Sequence, residues 1–415
     1  MFHRPRFHYA WVVLAAVMGI NAVSAGIRLS FGVFIDPLVK QFGWSHGDIS
    51  LAYTLAFIAG IPMILAVGWL GDRISTRTIV IIASVVASLG IVLTGTISHL
   101  WQFYLYFGII AGGLGTATFM ALLPVTITHW FHRKQGIALG LMWSSLSWGP
   151  ALLAPLMRWS LETAGWRQSF TVLGIVSGVV MLAGAFFLRG RPEDVGLTPY
   201  GGQAPLTGKV ETSSASLPPT LSFKQVATKF SFWGLVMIHF LGCVGHSIPI
   251  AHMVSIGTFA GLHGLVAAGG LTVFSLTSLV SRFGMSLVSE AKGARFTLTW
   301  ALFLQAAPSF LLFLAGNPWG FYAYGILFGL GYGGEMVGFP IFNRQLYGYN
   351  APLNMLYSAQ MVGAMLGMAA GGWIGGVLFD VSGNYTWTIL VSIMANFLGL
   401  GIALLLPRYR RVASA

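Results

Sequence analysis

Charge is what this chain has least of. Only 8% of its 415 residues are Asp, Glu, Lys or Arg, against about 25% in an ordinary soluble domain. Acidic residues are the scarcer sign, 10 against 22 Lys and Arg, and the formal net charge is +12. A chain so poor in charge and 56% hydrophobic cannot cover itself with a water-compatible surface, so most of its exterior must face lipid. Cysteine is nearly missing as well. Cys243 stands alone, which excludes an intramolecular disulfide and leaves the redox compartment open. There is no metal-ligand cluster, nucleophile elbow or phosphate loop, which disfavours an enzyme and implies neither metal nor cofactor.

What the chain does have is glycine and long apolar runs. The hydropathy pattern predicts twelve runs of about 20 residues or more, the length that crosses a bilayer. The first six are Tyr9–Phe34, Ile49–Leu70, Thr78–Ile97, Trp101–Thr128, Gly136–Met157 and Phe170–Leu188. The second six are Phe232–Ala260, Leu265–Val288, Phe296–Leu314, Trp319–Phe342, Leu353–Phe379 and Thr386–Leu406. Val23-Ser24-Ala25 resembles a signal-peptidase site, but cleavage there would remove most of the first run, so the run is expected to stay as a span. Seventeen of the 22 Lys and Arg fall in the N-terminus, the even-numbered loops and the C-terminus, among them Arg73, Arg77, Arg133, Lys134, Arg295 and Arg344. That bias puts both ends of the chain in the cytoplasm. The basic residues follow membrane sides and form no single patch, so nucleic-acid binding is not expected. The segment 189–229 is rich in Pro, Gly, Ser and Thr and reads as a flexible linker between six-helix halves at 1–188 and 230–415.

The two halves carry a weak internal repeat. Asp72 in Gly68-Trp69-Leu70-Gly71-Asp72-Arg73 and Glu290 in Ser289-Glu290-Ala291-Lys292 are 218 positions apart, and so are Arg77 and Arg295. Glu162 and Asp380, Gly165 and Gly383, and Gly149 and Gly367 keep the same offset. A parallel repeat of apolar helices is a common transporter plan, with the substrate site where the repeats meet. Gly363, Gly367, Gly371 and Gly375 recur every four residues, as do Gly325, Gly329 and Gly333; both read as close-packing faces.

Twelve spans in two parallel halves, with Gly68-x-x-Gly71-Asp72-Arg73-x-x-x-Arg77 between spans two and three, resemble the major facilitator superfamily. Thr76 stands where that turn usually has glycine. Within the superfamily the chain is similar to the monocarboxylate (anion:proton) transporters and their bacterial relatives. The stretches that carry this are Trp130-Phe131-His132-Arg133-Lys134-Gln135-Gly136, Ile248-Pro249-Ile250-Ala251-His252 and Gly376-Val377-Leu378-Phe379-Asp380-Val381-Ser382-Gly383-Asn384-Tyr385. The expectation is an all-α membrane protein with the major facilitator fold, acting as a monomer in a plasma or bacterial inner membrane. Asp72, Arg73, Arg77, Glu290 and Arg295 are expected to gate it as a cytoplasmic latch, with the helix dipoles favouring their placement.

Chemistry must come from charges inside the membrane, where each costs roughly 2.5–3.5 kcal/mol at a helix centre. There are three: Arg28, Arg282 and Glu335. The resemblance implies that Arg282, in Ser278-Leu279-Val280-Ser281-Arg282, binds a substrate carboxylate. It also sets Arg28 where animal members have a lysine, and Ser278 where they have an aspartate. Arginine keeps its proton when buried, so the usual lysine–aspartate relay is absent. Glu335, in Gly331-Tyr332-Gly333-Gly334-Glu335, is then the candidate proton carrier, with a permanent arginine pair as its structural alternative. His252 matches a histidine of the bacterial relatives and is a candidate ligand. His246 is a weaker one, and Phe119, Tyr332 and Tyr385 could shape the pocket. The charge count suits a small carboxylate driven by protons, lactate- or pyruvate-like. The alternatives are a dicarboxylate exchanger of the oxalate–formate type and a multidrug exporter. Ser145-Leu146-Ser147-Trp148-Gly149-Pro150 matches the exporters' fifth-span motif only in part.

Overall fold

The computed structural model describes residues 8–71, 73–131, 133–201, 221–347 and 353–407. Helices dominate. Among the described residues, eleven are long and apolar enough to cross a membrane. They include Ala10–Leu29, His46–Gly71, Thr76–Thr94, Phe230–Phe259, Gly264–Lys292, Pro318–Tyr347, Leu353–Ser382 and Thr386–Leu405. One helix, Gln135–Phe187, runs 53 residues, or roughly 80 Å at the α-helical rise. A single crossing needs about 30 Å. The helix breaks at Gly165, whose φ of 78° and ψ of 168° are not helical, and its two arms are spans five and six. The count is therefore twelve.

Sequence patterning predicts a loop from Met157 to Phe170. The structure keeps that stretch helical up to the glycine. It lacks proline, and Arg158 pairs with Glu162 one turn on at 2.9 Å, which supports helix. Gly383, 218 positions beyond Gly165, makes the corresponding turn between spans eleven and twelve with φ of 70°. Both turns need the left-handed conformation that glycine tolerates.

The repeat extends to packing. Span one lies against span five, where Gly149 leaves no room for a side chain beside the Ala22 carbonyl. Span seven lies against span eleven, where Gly367 does the same beside the Phe240 carbonyl. The first six spans meet the last six at several places, among them the end of span one, where Gly32 lies against the Ala251 carbonyl of span seven. Span two meets span eleven, and span five meets span eight. Span four widens into a π-helical stretch over Tyr104–Thr116, with Gly108, Gly112 and Gly113 set against Ala52, Ala56 and Ala59 of span two. The core forms one large apolar cluster at the end away from the termini, a second around spans one to six, and smaller ones among the last six spans.

Candidate functional site

Arg28 lies in the last turn of span one. Its Nη1 is 2.7 Å from the Met120 sulfur, and its Nε is buried with no hydrogen-bond partner. A thioether is a weak acceptor for a guanidinium. Arg282 in span eight is 7% exposed. Its Nη1 donates to the Trp143 carbonyl of span five at 2.7 Å, and its Nε also lacks a partner. The guanidinium carbon sits 5.7 Å from the centre of the Tyr332 ring. Tyr332 is within electrostatic reach of both arginines. Among the described residues the ion pairs join His46 to Asp36 and Asp380, Arg158 to Glu162, and His246 to Glu335. None involves Arg28 or Arg282.

Ser278 is one turn before Arg282. Its hydroxyl meets that of Ser147 at 2.9 Å, across the contact of spans five and eight. It is a packing contact beside the arginine.

Glu335 is fully buried, and its partner is a histidine rather than an arginine. Its Oε2 accepts from His246 Nδ1 at 3.2 Å and from Gln305 Nε2 at 2.8 Å. Its Oε1 has no partner and lies against the bare backbone of Gly242. His246 meets Tyr332 edge to face, with ring centres 4.9 Å apart. The arginine-pair alternative for Glu335 is thereby replaced, and His246 moves from a minor candidate to a central one.

Two expected ligands sit elsewhere. His252 Nε2 donates to the Gly372 carbonyl at 2.8 Å, and its ring is 6.2 Å from Tyr385. Tyr385 lines a cavity of about 340 Å³ with Asp36, Lys40, His46, Ser255 and Thr258. Neither arginine lines it. This cavity lies at the end opposite the chain termini. Asp380 of span eleven accepts the backbone N–H groups of His46 at 2.9 Å and Gly47 at 2.6 Å, capping span two. Thr258 of span seven donates to Asp36. His252 and Tyr385 thus lie beside contacts that join spans seven and eleven to the first six spans, a grouping that sequence reasoning did not anticipate. Phe119 is fully buried in the core of the first six spans and packs there rather than lining a site.

The expected latch near the termini is described only in part. Asp72 lies outside the described residues, as does the side chain of Glu290. Arg73 donates to the Trp69 carbonyl at 3.1 Å and stacks over the Trp69 ring at 3.9 Å. Arg77 lies 5.3 Å from the Phe186 ring. Arg295 donates to the carbonyls of Ala403, at 3.1 Å, and Leu404. These contacts stay within one set of six spans. Arg77 and Arg295 each reach the end of the last helix of their set, which is a helix-terminus role. Among the described residues no group of three or more His, Cys, Asp or Glu could hold a metal ion.

A family model, the Major Facilitator Superfamily, matches residues 14–351. The chain is 25% identical to monocarboxylate transporter 13 of Bos taurus, over 98% of this chain and 91% of that one. It is 27% identical to monocarboxylate transporter 11 of Homo sapiens, over 97% and 85%. It is 24% identical to an uncharacterized MFS-type transporter of Bacillus subtilis (strain 168), over 95% and 94%. The crystal structure of a bacterial homolog to the human lysosomal transporter Spinster, inward-facing and unoccupied, superposes with a TM-score of 0.69 at 14% identity. It covers 97% of this chain and 95% of that one, and supports the fold alone.

Proposed function

The chain belongs to the Major Facilitator Superfamily, and from that premise we propose that it carries small monocarboxylates across the membrane together with protons, by alternating access. It is an integral membrane transporter and not an enzyme. The observation that carries the anion reading is the pair of intramembrane arginines, half-buried Arg28 and buried Arg282, without a carboxylate partner among the described residues. Burying a charge is costly until it is paired. A substrate carboxylate supplies that pairing and fits the fork of either arginine. The monocarboxylate transporters among the relatives support this substrate class. Glu335 is the carboxyl group that alternates between charged and neutral forms.

The moving bodies are residues 1–188 and 230–415, joined by 189–229. Arg282 donating to Trp143 spans them at the site, and Asp380 capping His46 spans them at a gate. Both chain ends face the cytoplasm, in a bacterial inner membrane if the source is bacterial, on the Lys and Arg bias.

One observation favours a second reading. Because Glu335 is held by His246 and Gln305, it does not offset the arginines directly, and both remain for an anion. One carboxylate shared by both, or two held one each, satisfies that arrangement. The second case is a dicarboxylate exchanger.

Thermal unfolding of the purified full-length protein in a series of small carboxylates separates the two, because a ligand of the folded state raises the midpoint with concentration. Stabilisation by lactate or pyruvate, lost in Arg282→Ala, supports the first reading. Stabilisation by oxalate alone supports the second. Stabilisation only by lipophilic cations overturns both.

A further inference from the structure

We propose that His246 and Glu335 hold the coupled proton as one unit, and that the Tyr332 ring passes their charge state to Arg282. The inference rests on the anion-carrier reading above and names the partner of its proton site.

The two side chains are both fully buried and 3.2 Å apart, contributed by spans seven and ten. In the unprotonated state Glu335 is a carboxylate, which only accepts, so the His246 proton sits on Nδ1. The unit then carries one negative charge. Two positions are open for a further proton. His246 Nε2 faces the Met368 sulfur at 3.2 Å, and a thioether has no proton to give. Glu335 Oε1 faces Gly242 with no partner. A proton taken at Nε2 gives an imidazolium–carboxylate pair. Transfer of the Nδ1 proton to Oε2 gives imidazole and carboxylic acid instead. Either form is neutral, and only N–H and O–H bonds have changed.

The surroundings fit this role. Gln305 of span nine donates to Oε2 in either state. On span seven His239 lies one helical turn before Gly242, and Cys243 adjoins that glycine; both are within electrostatic reach of Glu335. Tyr332 lies beside both the unit and Arg282, its ring centre 4.9 Å from that of His246 and 5.7 Å from the Arg282 guanidinium carbon. Arg28 lies within reach of the same ring. Neutralising the unit removes a negative charge from beside that ring. The guanidinium groups then attract an anion more strongly, by roughly tenfold for a unit charge at an effective dielectric of about 20. The arginines stay charged throughout. The carrier holding a proton and a monoanion therefore has the same net charge as the empty one, and a full cycle moves no net charge across the membrane.

The internal repeat adds a reason. His246 is 218 positions beyond Arg28, so the two occupy corresponding places in the first span of each half. Ala117 corresponds to Glu335. The first half therefore places a fixed cation with no acid beside it, and the second half places a titratable base with one.

The test uses the purified full-length protein and two readouts. pH-difference infrared spectra from about pH 5 to 9 should show the protonation of a buried carboxyl–imidazole unit. Glu335→Gln should delete that signal, and His246→Gln should shift its midpoint. L-lactate affinity, measured in parallel, should fall about tenfold from acid to alkaline pH in the wild type and not change with pH in Glu335→Gln. Tyr332→Phe keeps the ring and should keep the dependence. A wild-type protein with no such infrared signal overturns the proposal, as does lactate affinity that keeps its pH dependence in Glu335→Gln. If the infrared signal appears and lactate fails to bind, the proton unit stands and the monocarboxylate reading falls.

Discussion

Thr54 donates its hydroxyl proton to the carbonyl oxygen of Ala369 at 2.6 Å, joining span two to span eleven. At positions 218 further along and 218 back, Thr272 donates to Ala151 at 3.0 Å, joining span eight to span five. The same bond is made twice, once on each side of the molecule. The neighbours follow the rule in shape. Arg158 fills the space beside Gly264, and Gly376 makes space beside His46, again at corresponding positions. Both contacts lie between the last six spans and the first six. Separating the two sets at the end away from the termini must break both. Side-chain hydrogen bonds between membrane helices average about 0.6 kcal/mol, near a threefold change in population. Thr54→Val should therefore raise the labelling rate of a Ser255→Cys reporter at that end about threefold. Adding Thr272→Val should raise it about tenfold, since distant sites add. The native Cys243 is buried and contributes little background. An unchanged rate in the double variant rules out these bonds as closing contacts.

The gate at His46 gives a larger effect. Asp380 accepts two backbone N–H groups at the start of span two and lies 3.4 Å from the His46 ring. Loss of a helix cap costs about 1 kcal/mol, so Asp380→Ala should speed labelling of Ser255→Cys by about fivefold. Anion affinity at the arginines should stay within a few fold, because the contacts of Asp380 are all at the gate. Equal losses of closure and affinity in an equilibrium binding assay would show that gate and site are not separate.

The spans, their number and the offset of the repeat were legible in the sequence, because length and apolarity determine what crosses a bilayer. So were Arg28 and Arg282, since a charge in a membrane span is conspicuous. The partner of Glu335 was not legible. His246 is on another helix, and although His239, Cys243 and His246 share one face of span seven, nothing in the sequence shows that this face turns to span ten. The place of His252 was missed for a reason of depth. It lies six residues beyond His246, or roughly 9 Å along a helix, enough to move it from the level of Glu335 to the neighbourhood of Tyr385. The helical stretch before Gly165 was read as a loop because Arg158, Glu162 and Arg167 interrupt the apolar run. Charge there marks the membrane surface rather than the end of the helix. The Thr–Ala bonds use two of the most ordinary residues in a membrane helix and left no signal at all.

Arg282 should be the anchor of the anion. Removing one partner of a buried charged pair costs roughly 2–5 kcal/mol, so Arg282→Ala should weaken lactate binding by more than tenfold in a protein that still unfolds cooperatively. Arg28→Lys should keep the charge and lose the planar fork, with a smaller loss of affinity. Wild-type affinity in folded Arg282→Ala, measured by equilibrium binding, removes it from the site.

Arg28 offers the sharper test of whether its charge is held for a ligand. Its described neighbour is the sulfur of Met120 at 2.7 Å, a contact that neutralises nothing. Met120→Glu would put a carboxylate beside the guanidinium and pair it permanently. An intramembrane arginine that already has an acid has no need of a substrate anion, and the added negative charge repels one. Met120→Glu should therefore lower lactate affinity by more than tenfold while leaving the unfolding midpoint unchanged or higher. Met120→Gln has nearly the same shape and no charge, and should bind within a few fold of the wild type. The comparison separates charge from volume, since both variants replace the same thioether with a group of similar length. Lactate binding of wild-type strength in Met120→Glu would mean that the charge of Arg28 is not used to hold the anion, and that Arg282 holds it alone.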